Sequence, residues 1–101
     1  MNDGKTPVSS PASNNKRIVT IRNLKGLHAR AAAKFVKLVE KFDAELTVSK
    51  SGQTVSGLSI MGLMMLAAGP GTELELAATG PEATAVLDAI STMIEEKFEE
   101  E

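Results

Sequence analysis

Between residues 17 and 22 apolar and polar positions alternate, Val19 and Ile21 against Thr20 and Arg22, with the two-residue period of a half-buried strand. The period then changes. Ala32, Phe35, Val36 and Val39 recur at helical spacing with Lys34, Lys37, Glu40 and Lys41 on the other faces, which predicts an amphipathic helix over about residues 29–41. Leu46 and Val48 then alternate with Glu45, Thr47 and Ser49, and Lys50-Ser51-Gly52-Gln53 supplies a tight turn before Thr54-Val55-Ser56. A β-hairpin therefore follows the helix. Ser59 stands where it can cap a short helix through Leu66 whose apolar residues point in every direction. Such a helix is either buried all round or offers one face to a partner. After the break at Ala68-Gly69-Pro70-Gly71, Leu74 and Leu76 alternate with Glu73 and Glu75 as a fourth strand. Gly80-Pro81 is expected to open the last helix, with proline in its first turn and Ala83, Val86, Leu87, Ile90 and Ile94 as its buried stripe. The chain ends in Glu95-Glu96-Lys97-Phe98-Glu99-Glu100-Glu101, anions where the helix dipole favours cations, so this tail is expected to fray.

The order of elements is βαββαβα. Short connections and one-sided patterning imply an α+β fold, an open-faced sandwich in which one antiparallel sheet carries all helices on one face. A length of 101 residues with 43% hydrophobic content allows one modest core. Residues 1–15, polar and rich in Ser, Asn and Pro, are expected to be a disordered extension, leaving residues 16–101 as the folded domain.

Charge and composition exclude several classes of function. A net charge of −2 gives no basic field to hold a nucleic acid by counterion release. The longest apolar stretch, Leu58 to Ala68, is broken by Ser59 and Gly62 and falls far short of the roughly 20 residues a spanning helix needs, so no membrane role is expected. The absence of cysteine and of an apolar leader fits a cytoplasmic protein. With one histidine and no cysteine, no metal site is expected either. A hydrolase elbow and a glycine-rich nucleotide loop are also missing, so neither an enzyme in its own right nor a cofactor is expected.

The single histidine, His28, lies in Lys25-Gly26-Leu27-His28-Ala29-Arg30, where loop gives way to the first helix. The first amides of a helix have no intrahelical partners and the dipole there is positive, so a phosphoryl group on this imidazole would be well received. Arg30 is close enough in sequence to add hydrogen bonds to phosphoryl oxygens. A neutral imidazole carries a free lone pair and is a competent nucleophile without an added base. Read without its context, His28 is more simply a surface histidine that caps a helix, and only the surrounding motif overturns that reading. Ser59 likewise has two readings, helix cap and regulatory phosphorylation site, and the two are compatible because a phosphate at a helix start suits the dipole. Met61, Met64 and Met65 read first as core, although flexible methionines also suit a surface that accepts several partners.

Gly26-Leu27-His28-Ala29-Arg30 before an amphipathic helix, with Ser59-Ile60-Met61-Gly62-Leu63-Met64-Met65-Leu66 about thirty residues later, resembles the HPr family, the histidine phosphocarriers of bacterial phosphoenolpyruvate-dependent phosphotransferase systems. The resemblance runs over about residues 17–98. It implies a four-stranded antiparallel sheet with three helices on one side. It further implies that His28 is phosphorylated at Nδ1 and that Arg30 stabilises the phosphohistidine. The donor would be enzyme I and the acceptor an IIA-type protein. Ser59 would align with the serine modified by HPr kinase/phosphorylase. Family docking surfaces would fall on the first two helices, with Ala29, Phe35, Lys37, Ile60, Met61 and Met64 as candidate contacts, and the carrier would act as a monomer. Ala31 stands where many relatives have proline after the arginine, which resembles the nitrogen-related NPr branch, where phosphotransfer regulates other proteins instead of driving sugar uptake. The alternative reading is a regulatory binding module controlled at Ser59, with His28 idle.

Overall fold

A computed structural model describes residues 15–100. The expectation for the N-terminal extension lies outside these residues, except that the Asn15 carbonyl accepts a hydrogen bond from the Ala78 amide at 2.9 Å. Strand β1 (Lys16–Thr20) leads through a loop to helix α1 (Ala29–Val39). Strands β2 (Glu45–Lys50) and β3 (Gln53–Ser56) form the hairpin, and helix α2 (Ile60–Met65) follows. Strand β4 (Glu73–Thr79) and helix α3 (Ala83–Glu95) complete the order, ahead of a short turn at Lys97–Glu99.

The four strands form one antiparallel sheet in the order β1-β4-β2-β3. Alternation along β2 and β4 sends Leu46, Val48, Leu74, Leu76 and Ala78 inward, where they meet the apolar stripes of α1 and α3. The three helices cover this one face, so the fold is the α+β open-faced sandwich expected from the pattern. The hairpin closes through Ser51 and Gly52, both at positive φ, the backbone a two-residue turn requires.

Boundaries differ from the sequence reading in three places. Strand β1 stops at Thr20, because Ile21 bonds to the loop instead: its amide donates to Thr72 and its carbonyl accepts from Gly71. Helix α1 stops at Val39, where Lys41 and Phe42 turn their amides onto Leu38 and Val39 in a tightened last turn. Pro81 does not sit in the first turn of α3. The Glu82 amide donates to the Asp43 carbonyl at 3.0 Å, which holds residues 80–82 as a turn and delays the helix to Ala83.

The largest departure is the acidic tail, which through Glu100 is folded against the domain instead of frayed. Lys97, Phe98 and Glu99 all adopt left-handed backbone, with φ of 58°, 54° and 61°. For non-glycine residues this costs on the order of 1 kcal/mol each. The turn persists because it drives the Phe98 ring wholly into the core and brings its carbonyl to Lys34 Nζ at 2.7 Å. One buried aromatic outweighs the dipole argument that predicted a loose end.

Candidate functional site

The site begins with a turn. Asn23 to Gly26 closes on a 3.1 Å bond from the Gly26 amide to the Asn23 carbonyl, and Gly26 has φ of 62°. A Cβ on Gly26 would meet the Ala68 carbonyl oxygen at 2.2 Å, so only glycine lets the two loops lie this close. The next residue, Leu27, fixes the approach by donating its amide to that same carbonyl at 2.9 Å. His28 therefore leaves the loop at a defined place, as the N-cap of α1.

At that position the backbone of His28 is extended and its carbonyl accepts from Ala32 at 2.9 Å, while its ring caps nothing. The ring lies half-sheltered, with Nε2 hydrogen-bonded to Oε2 of Glu100. The other oxygen of Glu100 accepts from Nδ2 of Asn23 at 3.0 Å, and that same amide nitrogen donates to the Gly26 carbonyl at 2.9 Å. Asn23 is fully buried. The bond to His28 chiefly holds the Glu100 carboxyl below the usual carboxylate range, against the opposing effect of partial burial; the Asn23 amide and the Lys25 charge lower it further.

Around the ring lies a recess of about 300 Å³ walled by Leu24, Lys25, Arg30, Lys34, Glu99 and Glu100. Three cations and two carboxylates thus face one imidazole. Arg30 is exposed and makes no hydrogen bond or ion pair among the described residues, so its guanidinium is available to oxygens brought to the recess. The first amides of α1 point toward the same end of the helix. A larger open groove of about 1030 Å³ between α1 and α3 does not include His28.

The second motif sits apart from the ring but on an adjoining helix. Ser59 caps α2, its Oγ accepting from the Gly62 amide at 2.9 Å. Ala29, Lys37, Ile60, Met61 and Met64 are all exposed, as a docking surface requires. Phe35 is not: it has no exposed area and packs in the core, so its place among the candidate contacts is corrected. Its helical phase with Ala32, Val36 and Val39 already put it on the buried stripe. Leu24, Leu58 and Met65 are exposed as well. Met61 and Met65 are about two-thirds exposed, at 70% and 66%, so these methionines are not core.

Asn23, Lys34 and Glu100 escaped the sequence reading. Asn23 was legible only as the end of a strand, and Glu100 reaches His28 across 72 residues of chain, a contact no local pattern announces. Among the described residues no group of three or more His, Cys, Asp or Glu can hold a metal ion, and no helix is long and apolar enough to cross a membrane.

Comparison with known proteins adds a family to this geometry. A family model described as "PTS HPr component phosphorylation site" matches residues 15–96. The phosphocarrier protein NPr of Shewanella violacea is 45% identical over 85 residues, covering 84% of this chain and 93% of that protein. The phosphocarrier protein HPr of Treponema pallidum is 42% identical over 85 residues, covering 84% and 97%. The crystal structure of HPr from Thermoanaerobacter tengcongensis superimposes with a TM-score of 0.81 at 38% identity, covering 85% of this chain and 97% of that one.

Proposed function

This chain belongs to the HPr family of phosphotransferase-system phosphocarriers, and we propose that it takes a phosphoryl group from phosphorylated enzyme I onto Nδ1 of His28 and passes it to an IIA-type protein. The observation that carries the reading is the place of the imidazole, at the N-cap of α1 in a recess it shares with Lys25, Arg30 and Lys34. Nε2 is engaged by Glu100, which leaves Nδ1 as the nitrogen for attack.

Three features of the recess suit a phosphoryl group. The unpaired first amides of α1 and the positive end of its dipole favour the added negative charge. Arg30 supplies a planar guanidinium without a competing carboxylate among the described residues, and Lys25 and Lys34 add positive charge from the loop and the helix. The ring stays open enough for a protein donor to reach it, with 27% of its side chain exposed. The chain itself performs no net reaction in this scheme: it holds a transient phosphohistidine between two partners, without a cofactor or metal.

Ile60, Met61 and Met64 on α2, with Ala29 and Lys37 on α1, are the surface we assign to docking, in a carrier that works as a single copy in the cytoplasm. Exposed flexible methionines suit a face that must receive more than one partner in turn. Ser59 is the candidate position for a regulatory phosphate from an HPr kinase/phosphorylase. A phosphate there would add charge beside the same surface. A module controlled only at Ser59, with His28 idle, is the weaker reading, because the Oγ of Ser59 is already engaged as a cap while His28 sits among groups suited to a phosphoryl oxygen. Whether the circuit drives sugar uptake or nitrogen-type regulation turns on the acceptor. Incubation with phosphoenolpyruvate and a cognate enzyme I, read by intact mass, tests the proposal: an acid-labile phosphoryl group on wild type but not on His28→Ala supports it, and an unlabelled wild type contradicts it.

A further inference from the structure

We infer that Glu100 is a positioning residue for the nucleophile: anchored by the buried Asn23 amide, its carboxylate takes the Nε2 hydrogen of His28 and so keeps the lone pair on Nδ1. The inference rests on the reading of His28 as phosphoryl acceptor and names what prepares the ring for it.

Two independent features of the tail support this. The carboxylate is held at both oxygens, one by Asn23 Nδ2 and the other by His28 Nε2, so it is oriented and not simply nearby. The backbone that delivers it is held in three consecutive left-handed residues, pinned by the buried Phe98 ring and by Lys34 on the Phe98 carbonyl. Strained backbone persists where its surroundings over-determine it. Here those surroundings place one carboxylate against the single histidine of the chain.

The chemistry needs no proton to move. As the Nδ1 lone pair forms the N–P bond, the donor's bond to phosphorus breaks and its electron pair leaves with the donor. Nε2 keeps its hydrogen, so the phosphorylated ring carries positive charge, and the Glu100 carboxylate already faces it. On transfer to the acceptor the N–P bond breaks, its electron pair returns to Nδ1, and the ring is again neutral with hydrogen on Nε2. Glu100 thus makes the ring a better nucleophile, and by holding the hydrogen on Nε2 it lets the phosphorylated ring depart as neutral imidazole and not as imidazolate. The other charged groups facing the ring are Lys25 from the loop, Arg30 and Lys34 from α1, and Glu99 from the tail; the three cations belong with the phosphoryl oxygens, leaving Glu100 as the group on Nε2.

The test uses the full chain, labelled with ¹⁵N, as wild type, Glu100→Ala and Glu100→Gln, at about pH 8 where an ordinary imidazole is neutral. Long-range proton–nitrogen correlation reads the tautomer and the exchange of the ring N–H, and enzyme I with phosphoenolpyruvate gives the rate of phosphoryl acceptance. Wild type is expected to show an Nε2–H signal protected from solvent exchange. E100A should lose that protection and accept the phosphoryl group about tenfold more slowly, the worth of one charge-assisted hydrogen bond. E100Q, which keeps an acceptor oxygen but no charge, should retain the ring signal and recover only part of the rate. If wild type is phosphorylated at His28 while E100A matches it in ring signal and rate, the role of Glu100 is overturned and the carrier reading stands. If wild type is not phosphorylated at all, the carrier reading fails and the role of Glu100 falls with it.

Discussion

Lys34 donates from Nζ to the carbonyl of Phe98 at 2.7 Å, tying the middle of α1 to a residue 64 positions further along the chain. The bond ends at the same residue whose ring has no exposed area. Tail and first helix are thus one packed unit, and the tail is part of the domain. Phe98→Ala should cost about 3–5 kcal/mol in denaturant unfolding, the range for removing a buried aromatic. It should also release the tail, so that the amides of residues 97–100 lose protection from hydrogen exchange. A variant that unfolds at the wild-type denaturant concentration would show that the tail contributes nothing to the core.

The Glu100 carboxyl is held below its ordinary range chiefly by His28, with Asn23 and Lys25 adding to the effect. Lowering of the folded-state value means that ionised Glu100 stabilises the fold above the ordinary carboxylate range. That contribution is lost as pH falls through the lowered value. Wild type should therefore exceed Glu100→Gln in unfolding free energy above the ordinary carboxylate range, and the gap should narrow as the pH falls below that range. A gap that keeps widening below the ordinary carboxylate range would carry the wrong sign.

Ser59 accepts from the Gly62 amide and so satisfies one of the orphan donors at the start of α2. Ser59→Ala should cost about 1 kcal/mol in thermal or denaturant unfolding. Ser59→Asp keeps a capping oxygen and should be close to wild type in stability. If both variants are equally destabilised, the cap is not what fixes this residue.

Gly26 packs its α-carbon side against the Ala68 carbonyl at positive φ. Gly26→Ala combines a left-handed side chain with a backbone overlap and should cost on the order of 3 kcal/mol. Because the same contact sets the exit of the chain into His28, phosphoryl acceptance should slow as well. Unfolding curves and initial rates on the folded fraction separate the two effects.

Much of the fold was legible because it rests on local periodicity. Leu74 and Leu76 against Glu73 and Glu75, and the stripe from Ala83 to Ile94, each fixed one element and its buried face. His28 was legible from its place at a helix start, and Ser59 from its place before an apolar run. Phe35 shows the limit of carrying a family surface over by position, since its helical phase had already assigned it to the core. Asn23 and Glu100 were out of reach for a different reason. Their meeting depends on how the tail returns over α1, and that return is driven by Phe98 against the local preference of its acidic neighbours. Long-range closure of this kind leaves no period in the sequence.

Whether His28 carries the phosphoryl group is read most directly from the intact mass of the chain after incubation with phosphoenolpyruvate and enzyme I. The expected result is the mass increase of one phosphoryl group, lost on brief acid treatment and absent in His28→Ala. A wild-type chain that stays at its starting mass, or a His28→Ala variant that gains the same acid-labile group, would contradict it.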